Sequence, residues 1–465
     1  MNKDILNTIK AVYFIGAGGI GMSAIAEFFL KAGIYTAGYD KTPSRITDNL
    51  IKEGAGIHFN DDINLIPGKI IDISKEDVLI IYTPAIPESH TELNYFFTNN
   101  YTVLKRSEIL RIITSQSKVL AVAGTHGKTS VSTIIAHIFK SAEKDVNAFL
   151  GGISKNYNSN LILSTNPKNA EFSVAEADEF DRSFLKLFPK TAVITSIDED
   201  HLDIYKDLND IRNTFEQFIS QIDKNGNLII KNTLKIHPEV FPQHVFTYAF
   251  SEKSDYYAKN IKTNSMQSHF DIVTPEGIIN DVIINIPGNI NIENVVAAAA
   301  TADIHGISHQ NIKDALFSWQ GVKRRFDYII NTPDLVYIND YAHHPKELSS
   351  FIHSVKNLYP DKNLIGIFQP HLYSRTRDFA DEFARSLCLC NEIILLNIYP
   401  AREDPIPGVS SKIIFDKMKL KNKILIKKEE LPEILKVKEN SVYMTMGAGD
   451  IDEYTKKIKS FLLKK

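Results

Sequence analysis

Cysteine is nearly missing from this chain of 465 residues, with only Cys388 and Cys390 present. Two cysteines two apart in an apolar run beside Leu387 and Leu389 make neither a disulfide framework nor a set of metal ligands, so both read as reduced and structural. Long hydrophobic runs are missing as well. No stretch of about 20 apolar residues exists to cross a bilayer, and Asn2-Lys3-Asp4 opens a segment without a signal peptide's apolar core or cleavage site. A cytoplasmic protein with no membrane partner is expected. Charge of one sign does not dominate either. With 53 basic against 56 acidic residues the net charge is −3, which gives no global reason to bind nucleic acid and leaves small anions in a local cleft. Lys456, Lys457, Lys459, Lys464 and Lys465 read as the solvated face and tip of a terminal helix.

What is present is ordinary globular composition, 43% hydrophobic and 23% charged, which excludes disorder. The length exceeds one core and suggests three. Strand-like apolar runs alternate with helix-length amphipathic stretches, the pattern of parallel sheets with flanking helices, and it restarts three times. The expected fold class is therefore α/β with three domains: a Rossmann-like one over 1–108, a P-loop-like one over 109–322, and a second Rossmann-like one over 323–465. Strands are expected at Ala11 to Ile15, Thr36 to Tyr39, Val119 to Ala123, Phe172 to Ala175 and Ala192 to Thr195. A β-rich stretch follows from Asn227 to Val282, then an alanine-rich helix from Asn294 to His305. The last block carries strands ending at Asn339, Phe368, Asn397 and Met446.

Ligands sit beyond the carboxyl ends of such strands, and six segments there carry chemistry. Gly124-Thr125-His126-Gly127-Lys128-Thr129-Ser130 runs from a strand into a helix, so its N–H groups and the helix end suit phosphate. Lys128, expected exposed on its loop, would neutralise phosphate charge, and the Thr129 hydroxyl would reach Mg²⁺. Two residues separate these glycines where the usual loop has four. Glu176-Ala177-Asp178-Glu179 and Asp198 to Asp203, with His201, are expected at two neighbouring strand ends, where Glu176 suits a hard cation better than His201 does. Gly16-Ala17-Gly18-Gly19-Ile20-Gly21, with Asp40 ending the next strand, has the spacing of a dinucleotide site; the physics asks only for a diphosphate, from NAD or from a UDP-sugar. Asp340-Tyr341-Ala342-His343-His344-Pro345 and Gln369 to Thr376, expected at adjacent strand ends, offer histidines, tyrosines and Arg375 for a small zwitterion.

These segments, GAGGIGMS, AGTHGKTS, EADEFDRSF, DEDHLD, NDYAHHP, FQPHLYSRT and MGAGDID in order, together resemble the Mur ligase family along the whole chain, and within it the alanine-adding branch. The resemblance implies an early cytoplasmic step of peptidoglycan synthesis. The lactyl carboxylate of UDP-N-acetylmuramate attacks the γ-phosphorus of ATP, and the amine of L-alanine then attacks the acyl phosphate, releasing phosphate and leaving an amide. It implies further that Lys128, Glu176, His201, Arg325, His343 and Arg375 carry the chemistry. ATP would meet Gly124 to Ser130, Asn291, Asn294, Arg325 and Asp340, while Mg²⁺ would meet Thr129, Glu176 and His201. The UDP-sugar maps onto Gly16, Gly18, Gly19, Ile20, Gly21, Asp40, Thr83, Pro84 and Ala85, and L-alanine onto Tyr341, His343, His371 and Arg375. No obligate protein partner is implied. Two departures stand out: Ile290 replaces the histidine that usually precedes Asn291, and Leu208 to Ile222 lacks the carbamylated lysine of many relatives, leaving Glu216 as a candidate substitute. The rival readings are a recycling ligase that attaches a preformed peptide to the same UDP-sugar, an NAD-dependent dehydrogenase resting on the Gly16 loop, and a mechanical P-loop NTPase.

Overall fold

The computed structural model describes residues 5–199, 204–237, 239, 241–242, 244–264, 266–401 and 403–463. Its first sheet has five parallel strands, β1 (Ala11–Ile15), β2 (Tyr35–Tyr39), β3 (Gly56–His58), β4 (Val78–Tyr82) and β5 (Thr102–Lys105), in the order β3-β2-β1-β4-β5. All of β1 is buried because helices cover both faces, which is why it reads as an unbroken apolar run. Val12 and Phe14 join the core that holds Phe28 and Phe29 of helix Ile20–Lys31, while Tyr13 and Ile15 point the other way, into the core with Phe96. The strand order reverses between β1 and β4, so the loops after these two strands flank the ligand crevice. Those loops hold Gly16 and Thr83.

The second sheet runs through β6 (Lys118–Ala123), β7 (Val146–Ser154), β8 (Ser159–Ile162), β9 (Phe172–Ala177), β10 (Thr191–Ile194), β11 (Asn227–Lys231), β12 (His244–Ala249), β13 (Tyr256–Thr263), β14 (Ser268–Thr274) and β15 (Gly277–Ile284). Their order is β15-β14-β13-β12-β11-β10-β6-β9-β7-β8. One expectation needs correcting: β9 and β10 are not neighbours, because β6 pairs in parallel with both and lies between them. The phosphate loop therefore leaves the sheet with a carboxylate-bearing strand end on each side. The alanine-rich helix spans Asn289–Ile304, five residues longer at its start than the alanine pattern alone marks.

The third sheet comprises β16 (Asp327–Asn331), β17 (Leu335–Asp340), β18 (Asn363–Phe368), β19 (Glu392–Leu396), β20 (Lys423–Ile426) and β21 (Ser441–Met446), ordered β16-β17-β21-β18-β19-β20. Only the β16/β17 pair is antiparallel. A second correction follows. The strands ending at Asp340 and Phe368 are separated by β21, so the turn after Met446 enters the cluster between them. Backbone contacts group the chain into two compact units, one of Met1–Asn260, Phe270–Ile283 and Glu293–Gln320, the other of Ile261–His269, Ile284–Ile292 and Gly321–Lys465. Cys390 is buried and Cys388 partly so, both as free thiols; burial pushes the Cys390 thiol up to about 12, as expected of a structural residue. Lys456, Lys457 and Lys459 lie exposed on the terminal helix Thr455–Leu462, while Lys464 and Lys465 lie outside the described residues.

Candidate functional site

Between Ala123 and helix Lys128–Ser141 the chain turns through two glycines with positive φ, Gly124 at 139° and Gly127 at 84°. Gly124 has no room for a side chain, because a Cβ there would collide with the Thr195 hydroxyl and approach the Ser196 N within 2.8 Å. The turn is laced to the end of β10. Thr125 N donates to Ser196 O at 3.1 Å, His126 N to Ser196 Oγ at 2.8 Å, and Thr195 Oγ1 to His126 O at 2.5 Å. No side chain caps the helix, so its first N–H groups and the turn form a rigid cradle for an anion. Ser130, on the first helical turn, is buried.

Lys128 is not exposed, contrary to expectation: its side chain is 13% accessible, and its partner Glu179 is 2% accessible. The Lys128 Nζ donates to both Glu179 oxygens, at 2.7 and 2.9 Å, and to Gly124 O at 2.6 Å. Burial works against this ammonium, but Glu179, Asp178 and Glu176 outweigh it and hold Lys128 protonated. Thr129 Oγ1 donates to Glu176 at 2.9 and 3.2 Å. The hydroxyl and carboxylate expected to share a cation are thus together. Among the described residues no group of three or more His, Cys, Asp or Glu side chains is arranged as a metal site, and His201 lies outside the described residues. A Thr and one carboxylate nevertheless fit Mg²⁺, which takes most of its oxygens from phosphate and water. Asn294 carries its Oδ1 to 3.1 Å from the Cβ position of Gly127. Asn291 Nδ2 donates to Pro287 O at 2.9 Å, and Ile290 is exposed. Glu216 is engaged elsewhere, accepting from His237 N at 3.2 Å.

In the first sheet, Gly16 N and Ala17 N donate to Tyr39 O, and Gly19 caps helix Ile20–Lys31 without a side-chain bond. Asp40 braces this loop. Its Oδ2 accepts from Gly18 N at 2.6 Å and its Oδ1 from Thr42 N at 3.0 Å. A side chain on Gly16 would meet the Thr83 methyl at 2.7 Å, so the Thr83-Pro84-Ala85 stretch does flank the glycine loop.

In the third sheet, Asp340 is buried, accepting from Phe326 N at 2.7 Å and Ala342 N at 2.8 Å. Burial pushes its carboxyl up to about 6 against the pull of Arg325 and those two N–H groups. Arg324 and Arg325 both lie over the Tyr341 ring, at 4.7 and 5.0 Å, and Arg325 also pairs with Glu347 at 3.9 Å. His343 packs against Tyr341 and His371 and contacts Glu347 at 3.1 Å. His371 stacks on Tyr399. Arg375 is 7% exposed, on helix Tyr373–Asp378, where Ser374 Oγ bonds Glu403. Arg324, Phe326 and Leu372 have positive φ without being glycine, and such strain persists where surrounding structure holds it at a working site.

Motif reading missed Glu179 as the lysine's partner, Thr195 and Ser196 as braces, and Glu347 and Tyr399. Only Glu179 had a signal, its place three residues beyond Glu176.

Family models match nearly the whole chain: the Mur ligase family catalytic domain over residues 11–118, the Mur ligase middle domain over 122–302, and the Mur ligase glutamate ligase domain over 324–449. The chain belongs to the Mur ligase family. Similar Mur ligases include the UDP-N-acetylmuramate–L-alanine ligase of Parabacteroides distasonis, 50% identical over 99% of this chain and 98% of that protein. That of Porphyromonas gingivalis is 48% identical over 98% and 99%. Two solved Mur ligase structures share the fold. The UDP-N-acetylmuramate-alanine ligase of Thermotoga maritima has a TM-score of 0.81 at 24% identity, covering 98% of this chain and 100% of that one. The murein peptide ligase of Psychrobacter arcticus has a TM-score of 0.70 at 20% identity, covering 98% and 99%. Membership in the Mur ligase family removes the dehydrogenase and mechanical NTPase readings.

Proposed function

We propose that this protein is an ATP-dependent ligase that joins L-alanine to the lactyl carboxylate of UDP-N-acetylmuramate, forming ADP and phosphate, in an early cytoplasmic step of peptidoglycan synthesis. The observation that carries this reading is the phosphate loop after β6, with Lys128 and Thr129 set against Glu179 and Glu176, in a chain about half identical to proteins of that name. The same relatives support L-alanine over a preformed peptide as the incoming group. No helix among the described residues is long and apolar enough to cross a membrane, which is compatible with the proposed cytoplasmic setting. Domains over 1–108, 109–322 and 323–465 would hold the UDP-sugar, ATP and the amino acid.

The chemistry needs no protein nucleophile, only positioning and charge neutralisation. The Gly124–Gly127 turn and the first N–H groups of the next helix would bind the phosphates, and Lys128 would offset negative charge building on the transferred group. Thr129, Glu176 and His201 would hold Mg²⁺, which when bound would neutralise phosphate charge. Asn291 and Asn294 would meet adenine, with Arg325 on nucleotide phosphate and Asp340 bracing that arginine's loop. The Gly16–Gly21 loop would take the diphosphate of the sugar nucleotide, with Asp40 holding the loop in shape. Arg375 would fork the α-carboxylate of alanine, flanked by Tyr341, His343 and His371. The test is phosphate release with UDP-N-acetylmuramate, ATP and Mg²⁺, adding alanine, glycine, serine or a preformed peptide in turn. Release only with the peptide, or none with any acceptor, would overturn the assignment.

A further inference from the structure

Arg106 opens helix Arg106–Thr114 directly after β5, with its side chain 21% accessible. Its Nη2 donates to Asp178 Oδ2 at 3.2 Å, its one hydrogen bond among the described residues. The rest of the guanidinium lies against Gly21. A Cβ on Gly21 would sit 2.5 Å from Nη1 and 3.3 Å from both Cδ and Cζ. In a dinucleotide fold the third glycine of G-x-G-x-x-G serves close helix–strand packing; here it makes room for a cation. Across the cleft Gly151 does the same for an anion, since a side chain there would overlap the Glu176 carboxylate. Between the two glycines lies a cavity of about 100 Å³, several times the ~10–15 Å³ one water requires. Ile20, Gly21, Arg106, Gly151, Glu176 and Asp178 line it, and Arg106 is its one cation.

The cavity joins the first turn of the glycine-loop helix to the carboxylate that bonds Thr129. A sugar nucleotide whose diphosphate sits on the Gly16–Gly21 loop must send its reactive carboxylate this way to reach a phosphoryl group held by the Lys128 loop. There it meets Glu176 and Asp178, two charges of its own sign. Reacting atoms must come within about 3–3.5 Å, so a counter-charge is required, and a guanidinium can supply one with two parallel N–H donors. We propose that Arg106 is the seat of the sugar's lactyl carboxylate, held beside Glu176 for attack on the γ-phosphorus. This rests on the ligase reading above.

Calorimetric titration with UDP-N-acetylmuramate and with UDP-N-acetylglucosamine tests it, because the second lacks only the lactyl group. Binding of UDP-N-acetylmuramate by the unaltered protein comes first; its failure would refute the ligase reading itself. Arg106→Ala should weaken UDP-N-acetylmuramate by about tenfold or more, the size of a charged hydrogen-bonded contact, and change UDP-N-acetylglucosamine by less than about twofold. Arg106→Lys keeps the Asp178 ion pair and should fall between. Equal losses for both nucleotides, or no loss for either, would overturn the proposal.

Discussion

Replacing Lys128 by alanine strands a carboxylate that the fold has sealed from water. Glu179 is 2% accessible and its ammonium partner lies 2.7 Å away, so the truncated protein must bury a bare charge or protonate the acid. From an ordinary value of 4.5, protonation at pH 7.5 costs about 4 kcal/mol, near ~1.4 kcal/mol per unit and within the ~3–5 expected for breaking a buried pair. In a domain of ~200 residues that lowers the melting transition by roughly 8–16 °C. At pH 5.5 the same step costs about 1.4 kcal/mol, so the deficit shrinks to roughly 3–6 °C. Lys128→Ala/Glu179→Gln removes both charges and should melt close to the unaltered protein at either pH. Its turnover should still fall by roughly 10³-fold or more, because the charge that meets the transferred phosphoryl group is gone. Melting of the full chain at both pH values, followed by phosphate release, reads both parts. A single mutant within about 2 °C of the parent at pH 7.5 would refute the buried pair, and a folded double mutant with turnover within about tenfold would refute the phosphate role.

Gly124→Ala should abolish ATP binding by calorimetry, since the side chain collides with Thr195 in a left-handed turn; retained affinity would mean the turn is not the cradle. Arg375→Lys should raise the KM for L-alanine by about tenfold or more while sparing that for ATP. Its 7% exposure already separates Arg375 from a surface ion pair of small value, and equal rises in both KM values would remove it from the amino-acid site. Asp340 has a folded pKa raised from 3.8 to about 6, so the native state binds the extra proton and stability falls as pH rises from about 4 to 6. Asp340→Asn should lose that slope; parallel melting curves across the window would refute the burial effect.

Glycine loops, strand ends and their order were legible in the sequence because each depends on local chemistry. Strands β1 and β6 are short apolar runs ending at glycine, and the observed bounds differ from the expected ones by a residue at most. Strand neighbours were not legible. Nothing in residues 441–446 says that β21 inserts between β17 and β18, or that β6 separates β9 from β10, since pairing is decided by crossovers tens of residues long. Lys128 looked exposed for a similar reason: its partner is 51 positions away, and a lysine in a glycine turn carries no mark of burial. Arg106 belongs to no motif, lying near the end of the first block, and the left-handed Arg324, Phe326 and Leu372 have side chains that give no sign of it.

Three of the cations proposed to meet substrate anions share one feature that sequence motifs do not show. Lys128 is held by Glu179, Arg106 by Asp178, and Arg325 lies near Glu347. An unpaired buried ammonium would release its proton or destabilise the fold, so Glu179 keeps Lys128 charged, while Asp178 and Glu347 aim their arginines before any substrate arrives. The consequence is that a phosphate or carboxylate gains only the difference between its own contact and the one it displaces or shares. Such sites bind substrates modestly, yet they are organised for the moment when charge builds on the transferred phosphoryl group, which the fixed carboxylates cannot match. That difference is what raises turnover rather than affinity alone.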